Sequence, residues 1–491
     1  MLFFRKFTFA ILILLVCIPA VELWATDALE NVQQRVAQTL NRAGARAAVW
    51  GIRVVDPEDN KVLVEVSPDN AFLPASVMKM VTTATAMEKL GPDFRYRTGV
   101  YAAGTLSEHG VLNGDIILVG RGDPNLIDVY GDLNQPPALR NLAEKIQEMG
   151  IREITGDVVG DDSYFVPSGG GRGSVYAAET GTLYGAPVTA LSINNNVINV
   201  TARAPKSGKT VTVEVEPRTS YFRIRNQAVI GDSDAKQTLS IQLLRSSNTL
   251  VITGTLPASK SVTRTLVMNK PAETTAAIFK DELERRGIKI KGNVRAIRYG
   301  GVRTEVKESW IFLTEHKSLP LPRGIEIINK RSQNLHTEML LRTLGAELHN
   351  FGSGEAGLEA VKAFLVKAGI YNEDIRLKDG CGLSRENFLT PRFQTNLLEF
   401  LLRRPYFDLF FNTLAVSGTE GTLRNRLASN SVKGYIHAKT GSLNGVVTLS
   451  GYINTHSGKT LVFSIFTDRV TATETVTKTL DEICSLFVTL Y

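Results

Sequence analysis

One stretch of this chain has the residue types and spacing for acyl-transfer chemistry. In Ala71-Phe-Leu-Pro-Ala-Ser-Val-Met-Lys-Met80, Ser76 and Lys79 stand three positions apart. A serine hydroxyl is a poor nucleophile at neutral pH, and a neutral amine within hydrogen-bond reach can activate it by taking its proton. Pro74 sets φ just ahead of the serine, and residues 77–90 carry no helix breaker before Gly91, so Ser76 should open a helix. On a helix, positions i and i+3 share a face. The hydroxyl and the amine would therefore meet, and the free N–H groups of the first turn would lie near any carbonyl under attack. Spacing alone is weak evidence, because Ser233-Asp-Ala-Lys236 repeats it in a polar, turn-like stretch with no apolar helix behind it. That second copy reads as a chance match.

Two further triplets strengthen the first. Ser332-Gln-Asn334 precedes a helical stretch over residues 335–349, and Lys439-Thr-Gly441, followed by Ser442, begins a strand. Burial and a neighbouring cation both lower a lysine pKa. Lys79 next to Lys439 would thus be the base, and Lys439 the charge that stays. His437 lies two residues before Lys439 on an alternating strand and reads as a wall residue. The six histidines form no metal-ligand pattern, and neither metal nor cofactor is expected.

The elements that must hold these residues come from both ends of the chain. Residues 47–56 and 62–66 read as a hairpin leading into the Ser76 helix, with a turn at Pro57-Glu-Asp-Asn60. Residues 445–454 and 461–466 read as two more strands. After them Val476, Leu480, Ile483, Phe487 and Leu490 recur at helical spacing, as expected of a helix covering a sheet. Between about residues 97 and 310 short strand runs dominate (115–119, 211–215, 239–244, 250–253), interrupted by one helix over 273–286 and by the glycine cluster Gly169-Gly-Gly171. This region reads as an insertion.

With 491 residues, 43% apolar and 21% charged, the chain is a folded protein too long for one core. Its formal net charge of +7 is spread rather than clustered, which argues against a nucleic-acid surface and permits an anionic polymer as neighbour. Arg5-Lys6, an apolar run over 7–21 and Ala25 read as an export signal over residues 1–25, so the expected location is the periplasm or cell-wall space. An uncleaved anchor, with peripheral membrane or wall association, is the alternative. Of three cysteines, Cys17 leaves with the leader, and Cys381 and Cys484 are expected to stay unpaired.

The order Ser76-x-x-Lys79, Ser332-x-Asn334, Lys439-Thr-Gly441 is the motif set of penicillin-recognising serine enzymes. With Gly122-Asp-Pro124, Gly160-Asp-Asp162, Tyr184-Gly-Ala-Pro187, Asp379-Gly-Cys-Gly-Leu-Ser384 and Gly421-Thr-Leu-Arg-Asn-Arg426, the chain closely resembles the low-molecular-mass class C, type-4 penicillin-binding proteins. These are D-alanyl-D-alanine carboxypeptidases and endopeptidases of peptidoglycan. The resemblance implies an α+β transpeptidase fold, an antiparallel sheet flanked by helices, with a β-rich multi-domain insertion. It implies a catalytic domain over 26–96 and 311–491, a domain II over 97–122 and 198–310, and a domain III over 123–197.

For the site, the resemblance implies Ser76 as nucleophile, Lys79 as base, Ser332 as proton relay and Asn334 as holder of Lys79 and the substrate amide. Lys439 and Thr440 would grip the terminal carboxylate. Gly441 would allow close backbone approach, and the N–H groups of Ser76 and Ser442 would form an oxyanion hole. Asp161 would contact the diaminopimelate end of the stem peptide. Arg424 and Asn425 would be structural, and Cys381 stands where the family usually has serine. The implied substrate is a peptidoglycan stem peptide, with β-lactams as covalent inhibitors. A β-lactamase-like hydrolase and a catalytically silent wall-binding protein are the competing readings.

Overall fold

The computed structural model describes residues 29–126, 137–167, 186–206, 210–245, 247–299 and 306–491. The leader, the Gly169–Gly171 cluster and Tyr184 lie outside them. No helix among the described residues is long and apolar enough to cross a membrane.

The two ends of the chain build one six-stranded sheet in the order Ala415–Val416, Ile436–Leu443, Val446–Asn454, Thr460–Asp468, Val49–Asp56, Lys61–Val66, antiparallel throughout. Its central strands read as nearly continuous apolar runs because both faces are covered. On one face lies the C-terminal helix Thr473–Leu490, whose Val476, Leu480, Ile483 and Phe487 pack with Ile52, Leu449, Phe463 and Ile465. On the other lie the helices Met78–Lys89, Leu321–Arg331, Asn334–His349, Gly354–Lys367 and Pro391–Leu402, meeting around Met80, Leu341, Leu344, Phe364, Phe393 and Phe466. The expected hairpin, the two late strands and the covering helix are all present. This is the helix-flanked antiparallel sheet of the α+β penicillin-binding fold.

Between residues 97 and 317 the chain leaves this body and forms a separate mixed sheet. Arg97–Leu106, Val111–Val119 and Ile311–Lys317 form its antiparallel centre, with Glu153–Ile154 and Val158–Asp161 added in parallel beside Val111–Val119. Val294–Ile297 extends it in parallel from Val158–Asp161. Smaller sheets built from residues 197–267 share no ladder with it, although Ile198, Val200, Leu250 and Ile252 belong to the same hydrophobic core as Val100, Ile116 and Leu118.

This pairing groups the insertion differently from the expected boundaries. The strands at 153–161, assigned to domain III, share a sheet with Val111–Val119. The strand Ile311–Lys317, assigned to the catalytic domain, pairs with Arg97–Leu106. Register across strands is decided by tertiary pairing that local periodicity does not encode. We propose the division that follows these ladders: one unit from residues 97–196 and 268–317, and a second from 197–267.

Candidate active site

The nucleophile's setting begins with a bend. Ala75 adopts φ +46°, a left-handed conformation that costs a side-chain-bearing residue about 1–2 kcal/mol. The chain then makes a 3-10 turn over Ala75–Val77, closed by the Val77 N–H on the Pro74 carbonyl at 3.1 Å, and the α-helix proper runs from Met78 to Lys89. The helix thus starts two residues later than expected, because the bend at Ala75 tightens the first turn. The neighbouring strand holds this turn, as Thr448 Oγ1 donates to the Pro74 carbonyl at 2.9 Å. Gly441 is required beside it. A Cβ there would come within 2.9 Å of the Ser76 nitrogen and 2.1 Å of Thr448 Oγ1.

Lys79 follows one turn later and is fully buried. Its Nζ donates to Ser76 Oγ at 2.9 Å, to Asn334 Oδ1 at 2.7 Å and to the Cys381 carbonyl at 2.6 Å. Ser332, like Ala75, is left-handed, with φ +59°. It closes the helix Leu321–Arg331 and turns the chain so that Asn334 can open the next helix. Lys439, also fully buried, donates to Ser332 Oγ at 3.0 Å and to the Thr440 carbonyl at 2.8 Å. Ser76, Lys79, Ser332, Asn334 and Lys439 are therefore brought together from three separate segments. Strained backbone held in place by its surroundings clusters at working sites, as it does here at Ala75 and Ser332.

Burial pushes both lysines below the ordinary lysine range. The positive charge of Lys79 pushes Lys439 down further, to well below that range. Lys79 is instead partly held up by two buried carboxylates, Asp379 and Glu338. Both amines are thus easier to deprotonate than a lysine in water, which is what a base in this position needs. Of the acidic pair behind Lys79, Asp379 opens the loop motif quoted above, while Glu338 belongs to no motif.

Glu338, on the helix Asn334–His349, and Asp379 together anchor the loop 379–384. Glu338 Oε1 accepts the N–H groups of Gly380 and Cys381 at 2.9 and 3.1 Å, while its other oxygen meets Arg342 at 3.2 Å. Asp379 accepts the N–H groups of Gly382 and Ser384, each at 2.6 Å. Burial, and then Asp379, push the Glu338 carboxyl up. The loop so anchored aims the Cys381 carbonyl at Lys79. Glu338, Asp379 and Cys381 could in principle surround a metal ion, but the backbone N–H groups and Arg342 already occupy these carboxylate oxygens. The clue to Glu338 in the sequence was its i, i+4 spacing to Arg342 on either side of the apolar run Met339-Leu-Leu341.

The insertion is pinned to the same helix. His336 Nε2–H donates to Asn195 Oδ1 at 2.6 Å, and burial lowers the His336 pKa to about 4, keeping the ring neutral. Asn195 lies in a run of three left-handed residues, Asn194 to Asn196.

The cleft in front of Ser76 has a volume of about 360 Å³, and its lining includes Ser332, Asn334, Thr440, Gly441 and Ser442. Asp161 is not brought there among the described residues. It is buried at the end of the strand Val158–Asp161, where Oδ1 caps the Ser163 N–H at 2.9 Å. His437 stacks on Phe411 with ring centres 4.0 Å apart, as befits a wall residue. Ser233 and Lys236 lie in an exposed turn. Arg424, expected beneath the site, is exposed and lines an adjoining groove. Cys381 and Cys484 are buried and unbridged.

Comparison with known proteins agrees with this geometry. Residues 32–486 match the D-Ala-D-Ala carboxypeptidase 3 (S13) family. The chain is 31% identical over 454 residues to a D-alanyl-D-alanine carboxypeptidase of Actinomadura sp. (strain R39), covering 89% of this chain and 81% of that protein. It is 27% identical over 413 residues to the D-alanyl-D-alanine carboxypeptidase DacB of Haemophilus influenzae, covering 83% and 82%. Among solved structures, penicillin binding protein 4 of Haemophilus influenzae superposes with a TM-score of 0.73 at 25% identity, over 92% of this chain and 97% of that one. A match running almost from the first described helix to the last makes this chain a member of the D-Ala-D-Ala carboxypeptidase 3 (S13) family.

Proposed function

We propose that the protein is a serine DD-peptidase that cleaves the D-Ala-D-Ala end of peptidoglycan stem peptides through an acyl-enzyme on Ser76. The observation that carries this reading is the Lys79 amine, held within 3 Å of Ser76 Oγ by the Asn334 side chain and the Cys381 carbonyl. In its neutral form Lys79 takes the Ser76 proton as Oγ bonds the acyl carbon. Ser332, bridged to Lys439, gives its proton to the leaving nitrogen as the C–N bond breaks and takes the one held by Lys79 in its place, leaving Lys79 neutral again. Ser76 and Ser442 supply backbone N–H groups to the developing oxyanion. A donor of this kind contributes about 3 kcal/mol in other acyl-transfer enzymes. Lys439 and Thr440 hold the terminal carboxylate. Water then releases the acyl group.

Binding of β-lactams follows from the same chemistry. A penicillin binding protein 4 relative has been solved in complex with a β-lactam. The buried, hydrogen-bonded arrangement of the five catalytic residues supports an active enzyme over a silent wall-binding protein. In a test with penicillin, the whole mass of the drug should add to the peptide containing Ala75-Ser-Val-Met78, and Ser76→Ala should abolish both that label and D-alanine release. Label on another residue, or wild-type hydrolysis by Ser76→Ala, would refute the assignment.

We also propose that the protein is exported and cleaved near Ala25, on the evidence of Arg5-Lys6 and the apolar run over residues 7–21. N-terminal sequencing of the protein from its native cell should start near Thr26. A mature chain beginning at Met1 would contradict this.

A further inference from the structure

The helix Asn334–His349 carries Asn334 at its first position, yet its own sequence does little to fix where it starts. Its N-cap, Gln333, makes no side-chain cap hydrogen bond, whereas Ser353 and Thr390 cap the helices Gly354–Lys367 and Pro391–Leu402. A capping side chain satisfies a free N–H of the first turn and so defines its start. The turn that holds Asn334 against Lys79 is therefore fixed from outside the helix.

That support comes from the insertion. His336, in the same first turn, is buried, and its Nε2–H meets Asn195 Oδ1 at 2.6 Å. The other ring nitrogen has no partner among the described residues, so Asn195 is the ring's single hydrogen-bond contact there. Leu335 and Met339 of the helix pack with Tyr164, Phe165, Val188 and Ala190 of the insertion, in a cluster that also contains Cys381. Besides Ser76, the Lys79 amine is held by the Asn334 side chain and the Cys381 carbonyl, and both stand on segments braced by the insertion.

The loop that presents Asn195 is shaped for this contact. Asn194, Asn195 and Asn196 have φ values of +48°, +58° and +57°. Left-handed backbone is normally visited by single residues, and asparagine tolerates it better than most residues with a side chain. A run of this kind persists only where its surroundings hold it. Asn196 supplies that hold from a fully buried position: its Oδ1 accepts from Ser192 Oγ at 2.8 Å and the Ile193 N–H at 3.3 Å, and its Nδ2 donates to the Pro187 carbonyl at 2.7 Å and Thr189 Oγ1 at 3.3 Å. Asn195 itself is exposed, and its side chain reaches across to the catalytic body rather than into the insertion's core.

We propose that Asn195 is a positioning residue for acylation, holding the first turn of the helix Asn334–His349 through His336 so that Asn334 keeps Lys79 in reach of Ser76. This role rests on Ser76 being the acylated residue. It gives the insertion a part in the reaction from a residue that does not line the cleft.

Stopped-flow acylation of the mature protein by a chromogenic β-lactam tests it, because the dissociation constant of the first complex and the acylation rate constant are read separately. Asn195→Gly keeps the left-handed backbone and removes only the side chain. A displacement of about 1 Å at a reacting group can cost about a hundredfold in rate, and a turn that is loosened should lose about tenfold. Asn195→Gly should therefore slow the acylation constant on that tenfold scale and leave the dissociation constant unchanged. Asn195→Asp, which returns an acceptor oxygen to His336, should bring the rate back to near the wild-type value. Thermal melts confirm that both variants fold. A contact that merely ties the two bodies together would lower the melting temperature and leave the acylation constant where it was, which would overturn the proposal. So would a loss confined to the dissociation constant, or an Asp variant as slow as the Gly variant. Mass spectrometry of the penicillin adduct separates this role from the reading beneath it. Label anywhere but Ser76 in the wild type would defeat the nucleophile assignment and this role with it, whereas a labelled Ser76 with unchanged acylation in Asn195→Gly overturns the positioning role alone.

Discussion

The main-chain oxygen of Cys381 lies 2.6 Å from the Lys79 amine, closer than Ser76 Oγ at 2.9 Å, although the two residues are 302 positions apart. The base is thus oriented by a carbonyl, while the thiol of Cys381 lies within 4.8 Å of the Glu338 and Asp379 carboxylates, in a cluster with Tyr164, Phe165 and Met339. Cys381→Ser should keep penicillin acylation within about threefold of wild type, since the backbone contact survives a near-isosteric change. Stopped-flow acylation with a chromogenic β-lactam measures this. A loss of hundredfold or more would mean that the side chain takes part.

Glu338 should govern Lys79 in two separable ways. Glu338→Gln keeps an oxygen for the Gly380 and Cys381 N–H groups but removes a charge that holds up the Lys79 proton. Acylation needs neutral Lys79, so its rate rises with pH as Lys79 deprotonates. Removing the carboxylate favours the neutral amine, and the acid limb of the pH profile should move to lower pH. Glu338→Ala, which also loses the anchor, should lower acylation at every pH. A limb displaced upward by Gln, or identical profiles for the two variants, would rule this out.

Gly382 sits where no other residue fits. Its φ is +84°, and a Cβ would fall 1.8 Å from the Ala75 carbonyl, next to the nucleophile. Gly382→Ala must therefore displace either the loop or the Ser76 turn, and a displacement of about 1 Å at a reacting group can cost about a hundredfold in rate. Acylation should drop on that scale, with the melting temperature changing by only a few degrees. Wild-type acylation would show that the contact is slack.

Asp162 should leave a signature in stability. Burial, with a smaller contribution from neighbouring Asp161, raises its carboxyl from 3.8 to about 7 in the fold. The folded state therefore holds this proton more tightly than the unfolded chain does. The stabilisation is full below about pH 4 and is lost as pH rises through about 7. It amounts to a few kcal/mol at most. Asp162→Asn, whose side-chain oxygen can still accept from the Ala190 and Leu191 N–H groups, should flatten the melting temperature between pH 4 and 7. Thermal melts across that range decide it, and an unchanged slope would disprove it.

Local chemistry was legible in the sequence. Ser76 and Lys79 meet because three positions along a helix span one turn; strand runs marked Val446–Asn454 and Thr460–Asp468, and helical spacing of apolar residues marked the covering helix Thr473–Leu490. The motif order then related Ser332, Asn334 and Lys439 to the same site, although nothing local joins them. Other features only the folded chain could decide, because they depend on contacts between distant segments. The Cys381 carbonyl reaches Lys79 through a backbone atom that every residue possesses, so no residue type announces it. The acidic pair Glu338 and Asp379 gains its influence over Lys79 from burial, which transforms weak charges in water into strong ones in a dry interior. The insertion's sheet likewise took its shape from the pairing of Val158–Asp161 with Val111–Val119, and of Ile311–Lys317 with Arg97–Leu106. Strand partners are chosen by long-range packing, and a short apolar run carries no record of which neighbour it will find.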